Sequence, residues 1–428
     1  MRTTTLSVRE LPTRQPTDAS PADEPAAGVI PGQGFQEAEA RGWISSGDYR
    51  ILPGSVQPAS LDLRLGDRAL PLRCSFLPDS RSTVEDKIRD LAFPGGGIDL
   101  TNGAILEPNR PYLIPLLEEL DLPPQVRGKA NPKSSTGRLD VFTRVITDWS
   151  NRFDEIAPGY EGKLYLEVVP RSFAVRVQAR ASLNQLRLFV GRQRISDGRL
   201  SQIHEECPLL YTGATAVPQR DLTISDGLFL GVDLSGGPDE IVGYRAKGNS
   251  HPLDLARVEG HDWRDYWEPV HPDPGSRIIL QPEVFYLLLS AEGVCVPPDY
   301  AAEMMAYDPT AGELRTHYAG FFDPGFGYDA AGRNSGTRAA LEVRARDVPF
   351  MVEHQQPICK LAFEDMLERP AWLYGAEAGA HYQGQTTMLS KHFARQTRES
   401  IARRASEVRA EDKAEPPSLF DDAAAARP

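Results

Sequence analysis

The sequence predicts a mainly β protein of two tandem barrel or jelly-roll modules with a few short helices. Three observations predict it. A set of short motifs recurs in the same order in both halves, apolar residues alternate in short runs, and Gly and Pro, 36 each, break the chain into brief segments.

The repeat is the strongest of these. Ile105-Leu106-Glu107-Pro108 matches Ile279-Leu280-Gln281-Pro282, an offset of 174 positions. At that offset Tyr112 meets Tyr286, Glu118 meets Glu292, and Pro123-Pro124 meets Pro297-Pro298. A Pro-Gly-aromatic turn follows as Pro158-Gly159-Tyr160 and Pro324-Gly325-Phe326, then a Leu-Glu pair as Leu166-Glu167 and Leu341-Glu342. Residues 182–189 echo residues 356–363. So many matches in one order define two copies of one unit, expected at 33–200 and 201–375.

Each copy reads as β. Phe173, Val175 and Val177 alternate with Arg176 and Gln178, the period of a half-buried strand. Residues 164–169 form a second strand candidate, ended by Pro170. One helix is expected over 36–46 before a Ser-Gly turn, and another over 391–410, where charges of both signs recur at helical spacing. Residues 1–32 and 411–428 are too polar and too rich in Pro and Ala to order themselves, and 376–410 is expected to be a closing tail and helix.

Composition narrows the function. A net charge of −13 argues against a nucleic-acid partner, while a local cluster of donors still suits a small phosphorylated ligand. No apolar run reaches the roughly 18 residues that a membrane span requires. The N-terminal residues lack the apolar core of a secretory signal, so a cytoplasmic location without membrane contact is expected. The cysteines Cys74, Cys207, Cys295 and Cys359 are too far apart in sequence for a CxxC pair and read as reduced thiols.

Two segments carry chemistry. Lys133-Ser134-Ser135-Thr136-Gly137-Arg138 gathers hydroxyls, a glycine and two cations, the donors that phosphate oxygens accept from. A polar surface turn would account for the hexapeptide equally well if it stood alone. The second segment, 157–167, is a tight turn feeding a strand that carries a carboxylate, Glu167, between Leu166 and Val168. Facing inward, that carboxylate would be desolvated and suited to proton transfer; facing outward, it would be an ordinary surface group.

Together the segments resemble the 2'-deoxycytidine 5'-triphosphate deaminase family, relatives of the trimeric dUTPases, in a long duplicated bacterial form. The hexapeptide is similar to that family's [RK]-S-S-x-x-R loop. Residues 157–167 resemble its P-G-aromatic turn and L-E strand, and residues 59–66 and 183–189 resemble flanking strands. His381-Tyr382-Gln383-Gly384-Gln385 is similar to its closing tail. The resemblance implies dUTPase-like modules that hydrolyse dCTP to dUTP and ammonia, feeding dUMP and dTTP synthesis. It assigns Glu167 as the proton shuttle and gives Arg138 and Ser134 the water and the ring substituents. It places Lys133, Ser135, Thr136 and Gly137 on the phosphates, Tyr165 and Leu166 at the base pocket, and Tyr160 among the substrate-binding residues. It places Tyr382 and Gln385 in the tail that closes on the nucleotide. It further implies Mg2+ carried on the triphosphate, and a homo-oligomer.

The chain departs from the family pattern in places. Lys133 stands where arginine is common, Ala157 where an aspartate precedes Pro-Gly, and Tyr160 where a tryptophan stands. About six extra residues lie near 148–153. The second copy keeps Glu342, but residues 308–315 lack the serines of the loop and gain acids, so its expected role is structural. The P-C-x-x-C of the zinc deaminases does not occur, and the H-x-E match His204-Glu205-Glu206 lacks those partner cysteines, so no catalytic zinc and no protein-held metal is expected. Two other readings stay open: a dUTP diphosphatase or bifunctional enzyme using Asp148 or Asp154 on water, and a non-catalytic nucleotide-binding regulator.

Overall fold

The computed structural model describes residues 27–191, 194–237, 239–305, 314–316, 320–329, 335–375, 381–385 and 387–394. Two β modules follow one another, each with two facing sheets. In the first module one sheet runs Gly28–Val29, Asn184–Val190, Val126–Pro132, Glu155–Ile156, with Leu61–Leu63 also on Asn184–Val190. Its other sheet runs Ile98–Asp99, Arg68–Pro71, Tyr112–Asp121, Glu161–Pro170, Val141–Ile146. The second module repeats the plan. Leu228–Gly231, Pro357–Asp365 and Tyr300–Met305 form one sheet; Gly243–Ala246, Phe285–Val294 and Thr337–Ala345 form the centre of the other.

The sequence repeat is also a repeat of hydrogen bonds. The Tyr112 hydroxyl accepts from the Glu107 amide at 3.0 Å, and the Tyr286 hydroxyl accepts from the Gln281 amide at 3.0 Å. Glu118 accepts the Arg64 amide at 2.7 Å, and Glu292 accepts the Gly231 amide at 3.0 Å. Glu167 lies opposite Leu113 and Glu342 opposite Leu287, so the two glutamates occupy one position of the repeated unit.

The two copies cover that position differently. In the second module Leu287 joins Tyr244, Trp267 and Phe285 in a core shared with Phe173 and Leu166 of the first. Phe173 meets Trp267 edge-on at 5.2 Å and Tyr266 at 5.6 Å. In the first module Leu113 is covered instead by the module's own insertion. Leu72, Val84, Ile146 and Tyr165 pack with it, and Ile88 and Leu91 of helix Val84–Leu91 lie against them. That helix begins with a capping box of Thr83 and Asp86, and Asp148 accepts its Val84 amide at 2.6 Å. The extra residues near 148–153 therefore serve to close this face.

Buried charges also join the modules. Arg187, fully buried in the first module, donates to Glu364 at 2.9 Å and Asp323 at 3.1 Å in the second. Lys129 and Asn131 both reach Glu303, at 2.7 and 3.0 Å.

Several boundaries differ from expectation. Gly28–Val29 already pairs with Phe189 and Val190, so order begins before residue 33. The first helix is Gly32–Ala40, not 36–46, and residues 44–45 are strand; the chain turns after Ala40 because Gly42 takes a φ of 77°, outside the helical region. Leu200 and Ile203 of helix Asp197–Glu206 sit in the second core, which moves the module boundary before it. Lys391–Ala394 is turn and bridge rather than helix; the rest of the helix expected to residue 410, and the extensions 1–26 and 411–428, lie outside the described residues.

Candidate active site

The short helix Ser134–Gly137 leaves strand Val126–Pro132 through Lys133, whose extended backbone caps it. Across from it, strand Thr337–Ala345 of the second module presents Glu342. Between them and the tail lies a cavity of about 670 Å³, within the range of small-molecule sites. Lys133, Ser134, Ser135 and Arg138 line it from the first module, and Asp323, Phe326, Ala340 and Glu342 from the second. Tyr382, Gln385 and Lys391 of the tail line it too.

Glu342 comes very close to the helix. A methyl group placed on Gly137 would lie 2.7 Å from Glu342 Oε2, so glycine is what lets the two modules approach here. Glu342 is 7% exposed. Burial pushes its carboxyl well above the usual range, the Arg138 guanidinium opposes that shift, and the Asp140 charge adds to it. Arg138 is 3% exposed, stacks 3.8 Å from the Tyr382 ring centre, and donates to the Met388 and Leu389 carbonyls at 3.4 Å. Its Nε has no partner among the described residues.

The tail is tied behind the loop. The Ser390 hydroxyl lies within hydrogen-bond distance of the Ser135 carbonyl, at 3.0 Å, and of His392 Nδ1, at 2.9 Å. Gln385 donates to the Arg338 carbonyl, and the Lys391 amide donates to the Tyr382 hydroxyl at 3.3 Å. Lys133 pairs with Asp62, whose carboxyl is raised by burial against the pull of Lys133. Asp62 Oδ1 has no partner among the described residues. Burial and the Lys133 charge lower the Lys391 ammonium.

The expected residues divide accordingly. Lys133, Ser134, Ser135, Arg138, Tyr382 and Gln385 meet at the cavity. Thr136 and Gly137 are buried behind it. Glu167 is not among the lining residues. It is fully buried on the opposite face of its module, where Arg144 donates to it from Nε at 3.0 Å and from Nη2. Arg144 is itself held by Ser75 at 2.7 Å and stacks 3.7 Å from the Phe153 ring. Tyr160, Tyr165 and Leu166 lie off the cavity as well. The Tyr160 hydroxyl donates to the Lys163 carbonyl at 2.7 Å, Tyr165 donates to Glu85 at 3.2 Å, and Leu166 is core. The physical reason is one of direction: strand Glu161–Pro170 sends Leu164, Leu166 and Val168 into the core and turns its other face, with Tyr165 and Glu167, to the module's own insertion rather than to its own loop.

The residues missed in the sequence, Glu342, Asp323 and Lys391, had a signal. The first copy keeps the Ser/Arg loop but has Ala157 before Pro-Gly; the second has lost the loop yet keeps Asp323 before Pro324-Gly325 and the Leu341-Glu342 pair. The Leu-Glu pair stands in both copies, and the two are complementary in the loop, kept by the first, and in the aspartate before Pro-Gly, kept by the second.

Comparison with known proteins agrees with this division into two units. Residues 26–192 match the N-terminal domain, and residues 196–393 the C-terminal domain, of 2'-deoxycytidine 5'-triphosphate deaminase (DCD). The chain belongs to the 2'-deoxycytidine 5'-triphosphate deaminase family. Within that family it is similar to a solved 2'-deoxycytidine 5'-triphosphate deaminase from Agrobacterium tumefaciens. The two share 41% identity and a TM-score of 0.75, over 81% of this chain and 100% of that one. A dCTP deaminase of Halorubrum lacusprofundi is 30% identical over 143 residues, which is 31% of this chain and 65% of that protein's length. A dUMP-forming dCTP deaminase of Nanoarchaeum equitans is 29% identical over 146 residues, 31% of this chain and 71% of that protein. These shorter deaminases thus match this duplicated member of the deaminase family over about the length of one module.

Proposed function

We propose that this chain hydrolyses dCTP to dUTP and ammonia at the cavity between its modules, with Glu342 as the proton shuttle. The observation that carries this reading is the meeting of Ser134, Arg138 and Glu342 around one cavity. Desolvation raises the Glu342 carboxyl above its usual range, the direction that suits a group that must give a proton as well as take one. In this scheme Glu342 takes a proton from water as the water oxygen adds to C4 of the cytosine, and gives it to N3. It then carries the proton of the new hydroxyl to the amino group, ammonia leaves, and the carboxylate is restored. Arg138 and Ser134 orient the water and the ring edge, while Lys133, Ser135 and Lys391 hold phosphate oxygens. The product feeds dUMP and dTTP synthesis, and a homo-oligomer is expected as in the family.

Magnesium on the triphosphate fits the donors present. Asp62, with one carboxylate oxygen unpartnered among the described residues, would hold it beside Lys133. The ion would neutralise phosphate charge. An ion brought by its nucleotide takes most of its ligands from phosphate oxygens and water. We therefore expect activity to survive exhaustive chelation of zinc followed by magnesium replacement. Recovery that required added zinc would overturn the carboxylate mechanism.

Glu167 receives the opposite expectation. Glu167→Gln should keep kcat within about threefold of wild type and lower the melting temperature, because it weakens a buried pair away from the cavity. A hundredfold loss of turnover in the folded variant would restore Glu167 to the reaction. The diphosphatase alternative loses its two sequence candidates. Asp148 is engaged with the Val84 amide and Asp154 with the Val145 amide at 2.7 Å, and neither lines the cavity. Measuring ammonia and pyrophosphate released from dCTP separates the two outcomes: ammonia alone supports dUTP formation, and equal pyrophosphate contradicts it.

A further inference from the structure

Glu342 and Arg344 are two residues apart on strand Thr337–Ala345, so their side chains leave the same face. That face points at the first module. Opposite them Arg138 and Asp140, also two apart, present the complementary charges in matching order. Arg138 acts on Glu342, and Arg344 Nη2 forms an ion pair with Asp140 that is nearly closed to solvent, at 9% and 1% side-chain exposure.

Both members are built in. Asp140 takes a left-handed backbone at φ 56°, donates its amide to the Gly137 carbonyl at 2.9 Å, and accepts from the Ser172 hydroxyl. Its carbonyl accepts the Arg171 amide at 2.9 Å. Arg344 Nη1 donates to the Glu283 carbonyl, and the guanidinium lies 5.9 Å from the Phe285 ring centre. A non-glycine residue held at positive φ is strained unless its surroundings require it.

We propose that Arg344 and Asp140 are a positioning pair for the reaction. They set the register of Glu342 against Arg138 across the module boundary, and Arg344 cancels an Asp140 charge that would otherwise bear on the shuttle. This rests on the reading of Glu342 as the shuttle. The other charged or titratable groups lining the cavity with Glu342 are Asp62, Lys133 and Arg138 from the first module, Asp323 and Tyr374 from the second, and His381, Tyr382 and Lys391 from the tail.

The test is the pH dependence of kcat/KM for dCTP in full-length Arg344→Met, Asp140→Asn and the double variant. Arg344→Met removes the positive charge paired with Asp140, so the acid limb should move to higher pH. Asp140→Asn removes the charge that raises Glu342, so the limb should move to lower pH. Each single variant should lose roughly tenfold in kcat with KM changed less than about threefold, and the double variant should lose less than the product of the two. Arg344→Lys, which keeps the charge, should hold the limb near wild type even if kcat drops, and it serves if Arg344→Met does not fold. A folded variant pair with unmoved limbs, or limbs moving together, overturns the proposal as a mere interface contact. Turnover by Glu342→Gln would instead overturn the reading beneath it, so the two failures are distinguishable.

Discussion

Glu342→Gln should abolish deamination, with kcat falling on the order of a hundredfold or more, while dCTP still binds. Gln keeps the shape that packs against Gly137 and loses the proton. Calorimetric affinity for dCTP within about threefold of wild type, alongside the lost turnover, is the expected pair of results. The expectation reverses what spacing within one copy suggests. Glu167 stands 29 positions after Arg138, and Glu342 stands 204 after it. Yet Glu342 shares the cavity and Glu167 does not. Near-normal turnover by the variant would remove the shuttle from the second module.

The second large effect is on stability. Arg187 threads from the first module into the second, donating to the Ala59 carbonyl at 3.3 Å, the Ala302 carbonyl at 3.2 Å, and the carboxylates of Glu364 and Asp323. Its guanidinium also lies 4.0 Å from the Phe321 ring centre. Arg187→Met leaves two carboxylates buried without their cation, a change that costs about 3–5 kcal/mol in comparable buried pairs. Burial already raises both carboxyls, with Arg187 pulling them down, so its removal raises them further. Between the unfolded and the raised folded values the native state then holds more protons than the unfolded one, so stability falls as pH rises. The urea midpoint of the variant should therefore lie well below that of wild type and approach it as the pH is lowered. A deficit that does not change with pH would mean that the lost interactions are packing rather than charge. Asp323 lines the cavity, so turnover should fall together with stability.

The fold was legible where local pattern and fold agree. Alternation marked the strand that the structure gives as Val175–Val177 and the apolar run that it gives as Glu161–Pro170. The order of the repeat carried over into paired hydrogen bonds at Tyr112 and Tyr286. The first helix was displaced because Gly32 and Gly34, poor helix formers, hide its start, and only Phe35 and Ala38 with Gly32 bury its inner face. In the site, the hexapeptide could be read because one loop holds all its donors. The glutamate could not be chosen from spacing, because Glu167 and Glu342 are equivalent in their modules and differ only in what covers them. For Glu167 that cover is helix Val84–Leu91 with Arg144 and Phe153; for Glu342 it is the Ser134–Gly137 loop of the other module. Tertiary packing makes that choice. The sequence held a trace of it in Ala157 and Asp323, the two complementary departures around one turn.

We propose one site, assembled from the loop of the first module and the glutamate of the second. A crystal structure of Glu342→Gln with dCTP bound measures it most directly, since the variant should hold substrate without consuming it. The amino edge of the cytosine should lie within hydrogen-bond reach of residue 342, with the triphosphate against Lys133 and Ser135. A cytosine seated instead beside Glu167, with Arg144 swung away to admit it, would contradict the account.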